Sequence, residues 1–350
     1  PLMKIRLCIA SAFLVAHAAQ AGDATTAPAG AMKYSFAANS YDTMGVPLVR
    51  DSVATGTVSG GTASTITING SQNLATVLNA NMFYYVEVTG HTDGVTTNNV
   101  GDRFDLDVAA TITTANNVIS INTSSPNNTA SGNFSGMTGY TLAIRPHWTL
   151  ASLLGTGLSA TALHSATTFA GADQIQFWTG SVMSTYWFRQ NSAGTVKEWR
   201  NTGTGSTNQD NAVIPPGTGV FVKRVGLSTL DVMVLGNVRN NKFIQPLTTG
   251  TSLLAPGFPT VASPSDAGLM PAVGLVSATS FAVADQIWVW TGTVMSTYWL
   301  RQNSAGTIKE WRNTGTGATA YTTTRFLDPQ KAFFVKTQAN IDSVEVLKPY

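Results

Sequence analysis

The 350-residue chain has little cysteine, little charge and no long apolar helix pattern, and each shortage excludes something. Its single cysteine, Cys8, lies in the N-terminal apolar segment, so the rest of the chain has no disulfide and no thiolate chemistry. Charged residues make up only 11%, too few Lys and Glu to furnish exposed helix faces. Lys and Arg number 20 against 18 Asp and Glu, and removing the N-terminal Lys4 and Arg6 leaves 18 against 18. Nucleic acid calls for a clustered basic face, and an anionic membrane surface for a polybasic run; the sequence has neither. His91, His147 and His164 are scattered, with no H-x-H or H-E-x-x-H spacing, so no metal site and no cofactor are assigned. There is no G-x-S-x-G elbow, and no helix pattern follows Gly203-x-Gly205 or Gly217-x-Gly219 to cradle a phosphate.

The N-terminal end reads as an export signal. Lys4 and Arg6 precede an apolar run over 7–16, and Ala19-Gln20-Ala21 has the small-residue form of a cleavage site. The expectation is a signal peptide over 1–21, a flexible leader over 22–32, and a bacterial protein that is secreted or held at the cell surface. The apolar run is too short to cross a bilayer, which takes about 20 residues, and the mature chain is expected to hold no transmembrane helix.

From Lys33 onward, short runs rich in Val, Ile, Thr, Tyr and Phe alternate with Gly, Asn, Ser and Pro clusters. This spacing predicts an all-β chain of antiparallel, sandwich- or barrel-like modules. Residues 148–155 and 265–276 are the only candidates for short helices. The dominant signal is a duplication: residues 165–205 align without gaps to 277–317, with 34 of 41 positions identical. A repeat this long makes each copy most of a domain rather than a solenoid unit. The expected organisation is an N-terminal β domain over 33–145, a first repeat unit over 146–241 and a second over 242–350.

The seven differences between the copies report on faces. Phe177/Val289, Phe188/Leu300 and Val196/Ile308 stay apolar, as core positions do. Gln176/Trp288 is radical, which places that position on an outer face. Period-2 alternation then points Ile175, Phe177, Tyr186 and Phe188 inward, and Gln174, Gln176, Trp178, Trp187 and Arg189 outward. Trp178, Trp187, Trp288, Trp290 and Trp299 therefore form a candidate aromatic platform for a polysaccharide, a self-assembly surface, or packing between sheets or units. Trp199 and Trp311 are left open, because a bulge near residues 191–194 would shift the phase.

Several segments resemble an uncharacterised family of secreted, paralogous proteins of Verrucomicrobia and related bacteria. They are Val46-Pro47-Leu48, FYYVEVTG (83–90), GDRFDL (101–106), IRPHWTL (144–150), the strand from Asp173 leading to Tyr186-Trp187, and PPGTGVFVKR (215–224). The resemblance implies export and an all-β modular build and brings no activity or site residue. The chain departs from the family's usual final Gly-rich strand entry, with Asp328-Pro329-Gln330-Lys331 in place of Pro-Gly-Thr-Gly.

No catalytic residues are assigned. Asp173 with Glu198, mirrored by Asp285 with Glu310, are the carboxylates a glycan-active enzyme would need across a cleft. Asp93, Asp102, Asp105 and Asp107 offer oxygen ligands for calcium, but not at EF-hand spacing. An outer-membrane barrel, suggested by the terminal Tyr350, is opposed by Lys348-Pro349 in the last strand. The sequence thus points to an exported, non-catalytic β-modular surface or matrix protein, with a carbohydrate-binding protein and a glycan-active enzyme as alternatives.

Overall fold

The computed structural model describes residues 29–350 apart from 70–72, 94–98, 114–116, 130–133, 159–161 and 318. The expected signal peptide, and the leader as far as residue 28, lie outside the described residues. The fold is all-β, and among the described residues the strands pair antiparallel, with isolated parallel bridges at Ala166–Arg189 and Ala278–Arg301. No helix among the described residues is long and apolar enough to cross a membrane.

The chain opens with β1 (Ala29–Phe36) and β2 (Tyr41–Met44). Met32, Tyr34 and Phe36 alternate inward along β1 while Lys33 and Ser35 face out, so residues 29–32 of the expected leader are strand. Next comes a six-stranded domain: β3 (Ala54–Gly61), β4 (Thr65–Asn69), β5 (Tyr84–His91), β6 (Arg103–Asp105), β7 (Val118–Ser120) and β8 (Tyr140–Pro146). These strands lie in the order β6-β5-β8-β3-β4-β7. Helices α1 (Leu74–Val77) and α2 (Val108–Thr113) accompany this sheet, and one of its faces packs a core that includes Val86, Phe104, Ile119 and Ile144.

The chain then passes through β9 (Trp148–Thr149), α3 (Leu150–Leu154), β10 (Gln174–Trp178), β11 (Met183–Gln190), β12 (Lys197–Asn201), β13 (Val213–Ile214), β14 (Val220–Lys223) and β15 (Leu230–Asn237). The second unit holds β16 (Phe243–Leu247), β17 (Gly250–Leu254), β18 (Gln286–Trp290), β19 (Met295–Gln302), β20 (Lys309–Asn313), β21 (Phe333–Thr337) and β22 (Ile341–Val346). Its sheet runs β17-β21-β18-β19-β20, with β16 paired to β22.

The first unit has the same plan, β2-β14-β10-β11-β12, with β1 paired to β15. Both strands that complete it therefore come from residues 29–44, before the six-stranded domain. That domain is inserted between β2 and β9. Its ends meet where Ala54 pairs with Ile144 and Arg50 Nη1 donates to the His147 carbonyl at 3.2 Å. The boundary expected at residue 33 is corrected accordingly: the N-terminal strands belong to the first repeat unit, and the pairing of Ala29 with Asn237 spans the whole insertion.

Within each unit the alternation places Ile175, Phe188 and Trp199, or Ile287, Leu300 and Trp311, in the core. Trp199 and Trp311 are fully buried, and their indole N–H groups donate to the carbonyls of Gly155 at 2.9 Å and Leu269 at 2.7 Å. The β11–β12 ladder runs without a bulge from Tyr186–Asn201 to Gln190–Lys197, so the phase is not shifted. Val196 and Ile308 are exposed at 46% and 53%, not core as expected, because they lie in the turn before the strand.

Candidate functional site

The outward faces of the two five-stranded sheets meet along a seam. Phe221, Leu253, Ala332 and Phe334 are buried there, flanked by Tyr41, Trp178, Met183, Trp288 and Trp290. The contacts are reciprocal. Trp178 Nε1 in the first unit donates to the Thr251 carbonyl of the second at 2.6 Å, and Trp290 Nε1 donates to the Tyr41 carbonyl at 2.9 Å. Tyr41 and Thr251 occupy the same place, each opposite the lysine of a FVK strand. Gly45 N–H donates to the Gln330 carbonyl at 3.0 Å, and its counterpart Ala255 donates to Gly217, the counterpart of Gln330, at 2.8 Å. Phe221 faces its own equivalent, Phe334, with ring centroids 5.8 Å apart. A surface that meets its own copy in this way has the form of an isologous dimer interface within one chain.

Small residues sit where this seam is tightest. A Cβ on Gly219 would lie 2.2 Å from the Ala332 Cβ, which occupies the equivalent place in the other unit. A Cβ on Gly45 would lie 3.2 Å from that of Ala255, again its counterpart. At both places glycine faces alanine, so the two halves fit as unlike partners.

The structure divides the five candidate tryptophans. Trp178, Trp288 and Trp290 point away from their own cores, as alternation requires, but into the seam. Trp178 packs edge-on against Phe334 with centroids 5.7 Å apart; Trp288 lies 6.0 Å from the same ring and donates to Gln286 Oε1 at 2.9 Å. Gln176, the counterpart of Trp288, accepts from the Tyr41 hydroxyl. Trp187 and Trp299 stand elsewhere on the same faces, in two matching rows. One row is Arg200, Trp187, Gln174 and Lys223; the other is Arg312, Trp299, Gln286 and Lys336. Each indole meets the exposed ring of Phe169 or Phe281 edge to face, at 6.4 and 6.2 Å. Gln174 and Gln286 fix those phenylalanines by donating to their carbonyls at 3.0 Å. Glu198 holds Arg189 at 3.1 Å and Arg200 at 2.6 Å, and Glu310 holds Arg312.

The carboxylates weighed for catalysis are committed to structure. Asp173 pairs with Arg224 and accepts main-chain N–H groups of His164, Val225 and Gly226. Asp285 accepts from Val276 and Gln338 at 2.8 Å, and burial raises its pKa. The aspartates considered for calcium are also dispersed: Asp102 takes the Thr129 hydroxyl, Asp107 caps α2 through Ala110 N–H, and Asp105 takes His147, Ser125 and Asn127.

A polar cluster that sequence reasoning missed lies between the inserted domain and the second unit. Glu87 on β5 is fully buried and holds Arg145 Nε at 3.0 Å and Arg239 Nε at 2.5 Å. Burial alone would raise Glu87, but Arg239 and Arg145 outweigh it and hold the carboxyl at about 2. Arg103 donates to the Ile244 carbonyl at 2.7 Å, and the Arg103 and Arg239 guanidiniums stack over the Phe243 ring at 4.2 and 4.5 Å. Burial, then the nearby Arg239 charge, lower Arg103 to about 10. Glu87, Arg103 and Arg145 lie in three separate motifs, FYYVEVTG, GDRFDL and IRPHWTL, which adjacent strands bring together, and Arg239 lies outside all three. The arrangement can lock domains together; among these side chains there is no nucleophile set against a base. No family model, curated protein or solved structure matches the chain.

Proposed function

We propose that this chain is a non-catalytic β-modular protein of the cell exterior, which presents two copies of one aromatic and cationic face to an extended partner, a polysaccharide. The observation that carries the reading is the repeated row of Arg, Trp, Gln and Lys around Trp187 and Trp299, each with an exposed phenylalanine at its edge. An indole face offers a flat apolar surface to a sugar ring, and the lysine that ends each row, Lys223 or Lys336, offers a donor to its hydroxyls, while the buried glutamines hold Phe169 and Phe281 in place. The seam supports the reading by fixing the two rows relative to one another. Export rests on the signal expected over 1–21, and membership of the secreted verrucomicrobial family is part of the same proposal.

The test is co-sedimentation of the mature protein with a panel of insoluble polysaccharides, wild type against Trp187→Ala/Trp299→Ala. Retention that the double substitution removes supports the reading; no retention on any polysaccharide counts against it. Assembly with further copies is the second reading, favoured by Met233 and Leu235, which lie exposed on the outer side of β15. A concentration-dependent increase in particle size that charged substitutions at these two positions abolish would support it.

A further inference from the structure

We propose that the second unit carries a pocket for a flat aromatic ring of indole size with one N–H or O–H donor, at the place where the first unit is plugged by its own Trp148. In the first unit Trp148 pairs with Ile214, which opens the turn into α3. In the second unit Ala262 pairs with Leu327, the counterpart of Ile214. The turns that follow match. Thr149 and Ser152 form a capping box, and Ser263 and Asp266 bond each other's main chain in the same way, at 3.0 and 3.1 Å. The buried indoles Trp199 and Trp311 then donate to equivalent carbonyls, those of Gly155 and Leu269. On this alignment Trp148 corresponds to Ala262, and the core residue Leu153 corresponds to Ala267.

Shortening two large side chains in a packed interior leaves space that neighbours fill only partly. The space is present: a cavity of about 90 Å³ lined by both alanines and by Phe258, Leu327, Phe333 and Leu347. It is far larger than the roughly 10–15 Å³ that one water needs and smaller than the roughly 150 Å³ that encloses benzene, so it holds one edge of a ring while the rest stands in the open mouth. Its walls are mainly apolar, which favours an apolar ring over water there. Val261 and Leu347, exposed at 47% and 66%, flank the mouth, as does the Arg325–Asp266 ion pair. A ring can therefore enter without unfolding the unit.

The first unit also shows the polar contact such a ring would make. Trp148 Nε1 donates to the Leu48 carbonyl at 2.9 Å, and Trp148 itself is only half-buried. The counterpart of Leu48 is Phe258, a wall of the cavity. The ligand class is set by this mimicry: a planar ring with a donor directed at the Phe258 carbonyl, and no charge on the part that enters.

The experiment uses the full chain with free indole as probe and indene as the isostere without the donor. Calorimetric titration is expected to show one saturable indole site per chain, with indene bound at least several-fold more weakly. Ala262→Trp should abolish binding and raise the melting temperature, because it supplies the plug covalently. Ala267→Leu narrows the pocket with a smaller change and should weaken binding at least several-fold. A crystal soaked with bromoindole should place the halogenated ring against Ala262. No saturable heat with indole, binding that both variants leave unchanged, or a ring found elsewhere would each overturn the proposal.

Discussion

The indole N–H of Trp290 donates to the main-chain carbonyl of Tyr41 at 2.9 Å, joining a strand of the second unit to one that precedes the inserted domain. The bond is one of a reciprocal pair, so its loss weakens the seam rather than one unit's core. Trp290→Phe keeps the bulk and removes the donor, with an expected cost of about 1 kcal/mol. Trp290→Ala also removes ring packing and should cost about 3 kcal/mol. Denaturant unfolding measures both, and Trp178→Phe should match Trp290→Phe because it makes the mirrored contact.

Gly219→Ala is expected to destabilise by about 1–3 kcal/mol, because the new methyl meets the Ala332 Cβ and the Leu254 carbonyl at 2.9 Å. Ala332→Gly removes the first of these clashes. In a double-mutant cycle the pair should cost less than the sum of the single substitutions, and strict additivity would refute the close approach.

Glu87 gives the molecule an acid-sensitive joint. Its folded pKa of about 2 lies below the ordinary 4.5, so its contribution is full above pH 4.5 and is lost as pH falls through that value toward 2. The linkage amounts to about 3 kcal/mol. Glu87→Gln should remove this part of the acid transition and leave Arg145 and Arg239 without their charge partner, at a cost of about 3–5 kcal/mol. Unfolding curves between pH 2 and 7, wild type against variant, check both statements.

If both tryptophan faces engage one polymer, single substitutions at Trp187 or Trp299 should each weaken retention by at least about tenfold, since avidity depends on two simultaneous contacts. Circular dichroism and melting temperature should stay near wild type, because neither indole belongs to a core cluster.

The all-β class and the orientation of Ile175, Phe177, Tyr186 and Phe188 were legible in the sequence because strand alternation is a local property. The helical turn at 150–154 was legible as well, within the short segment at 148–155. The role of β1 was not, since nothing local records that Ala29 pairs with Asn237 across an inserted domain. The tryptophans show a similar limit. Alternation states that Trp178 and Trp290 leave their own cores, but not that a second sheet covers them. The Glu87 cluster was hidden because Glu87, Arg103 and Arg145 sit in three motifs that only the β6-β5-β8 ladder brings together, and Arg239 joins them from the segment after β15.

The inserted domain also sets an order of assembly. A chain that emerges N-end first presents β1 early, yet β1 has no partner until Leu230–Asn237 follows. The six-stranded domain closes entirely on neighbours from 54–146, and the second unit closes within 243–346, so each is complete on a short contour. Because distant pairings bear the greater loop-closure cost, the half that is made first matures last. Pulse-labelled hydrogen exchange should find β1 and β15 protected after β16 and β22, and until then the unpaired β1 edge is the strand most open to pairing with another chain.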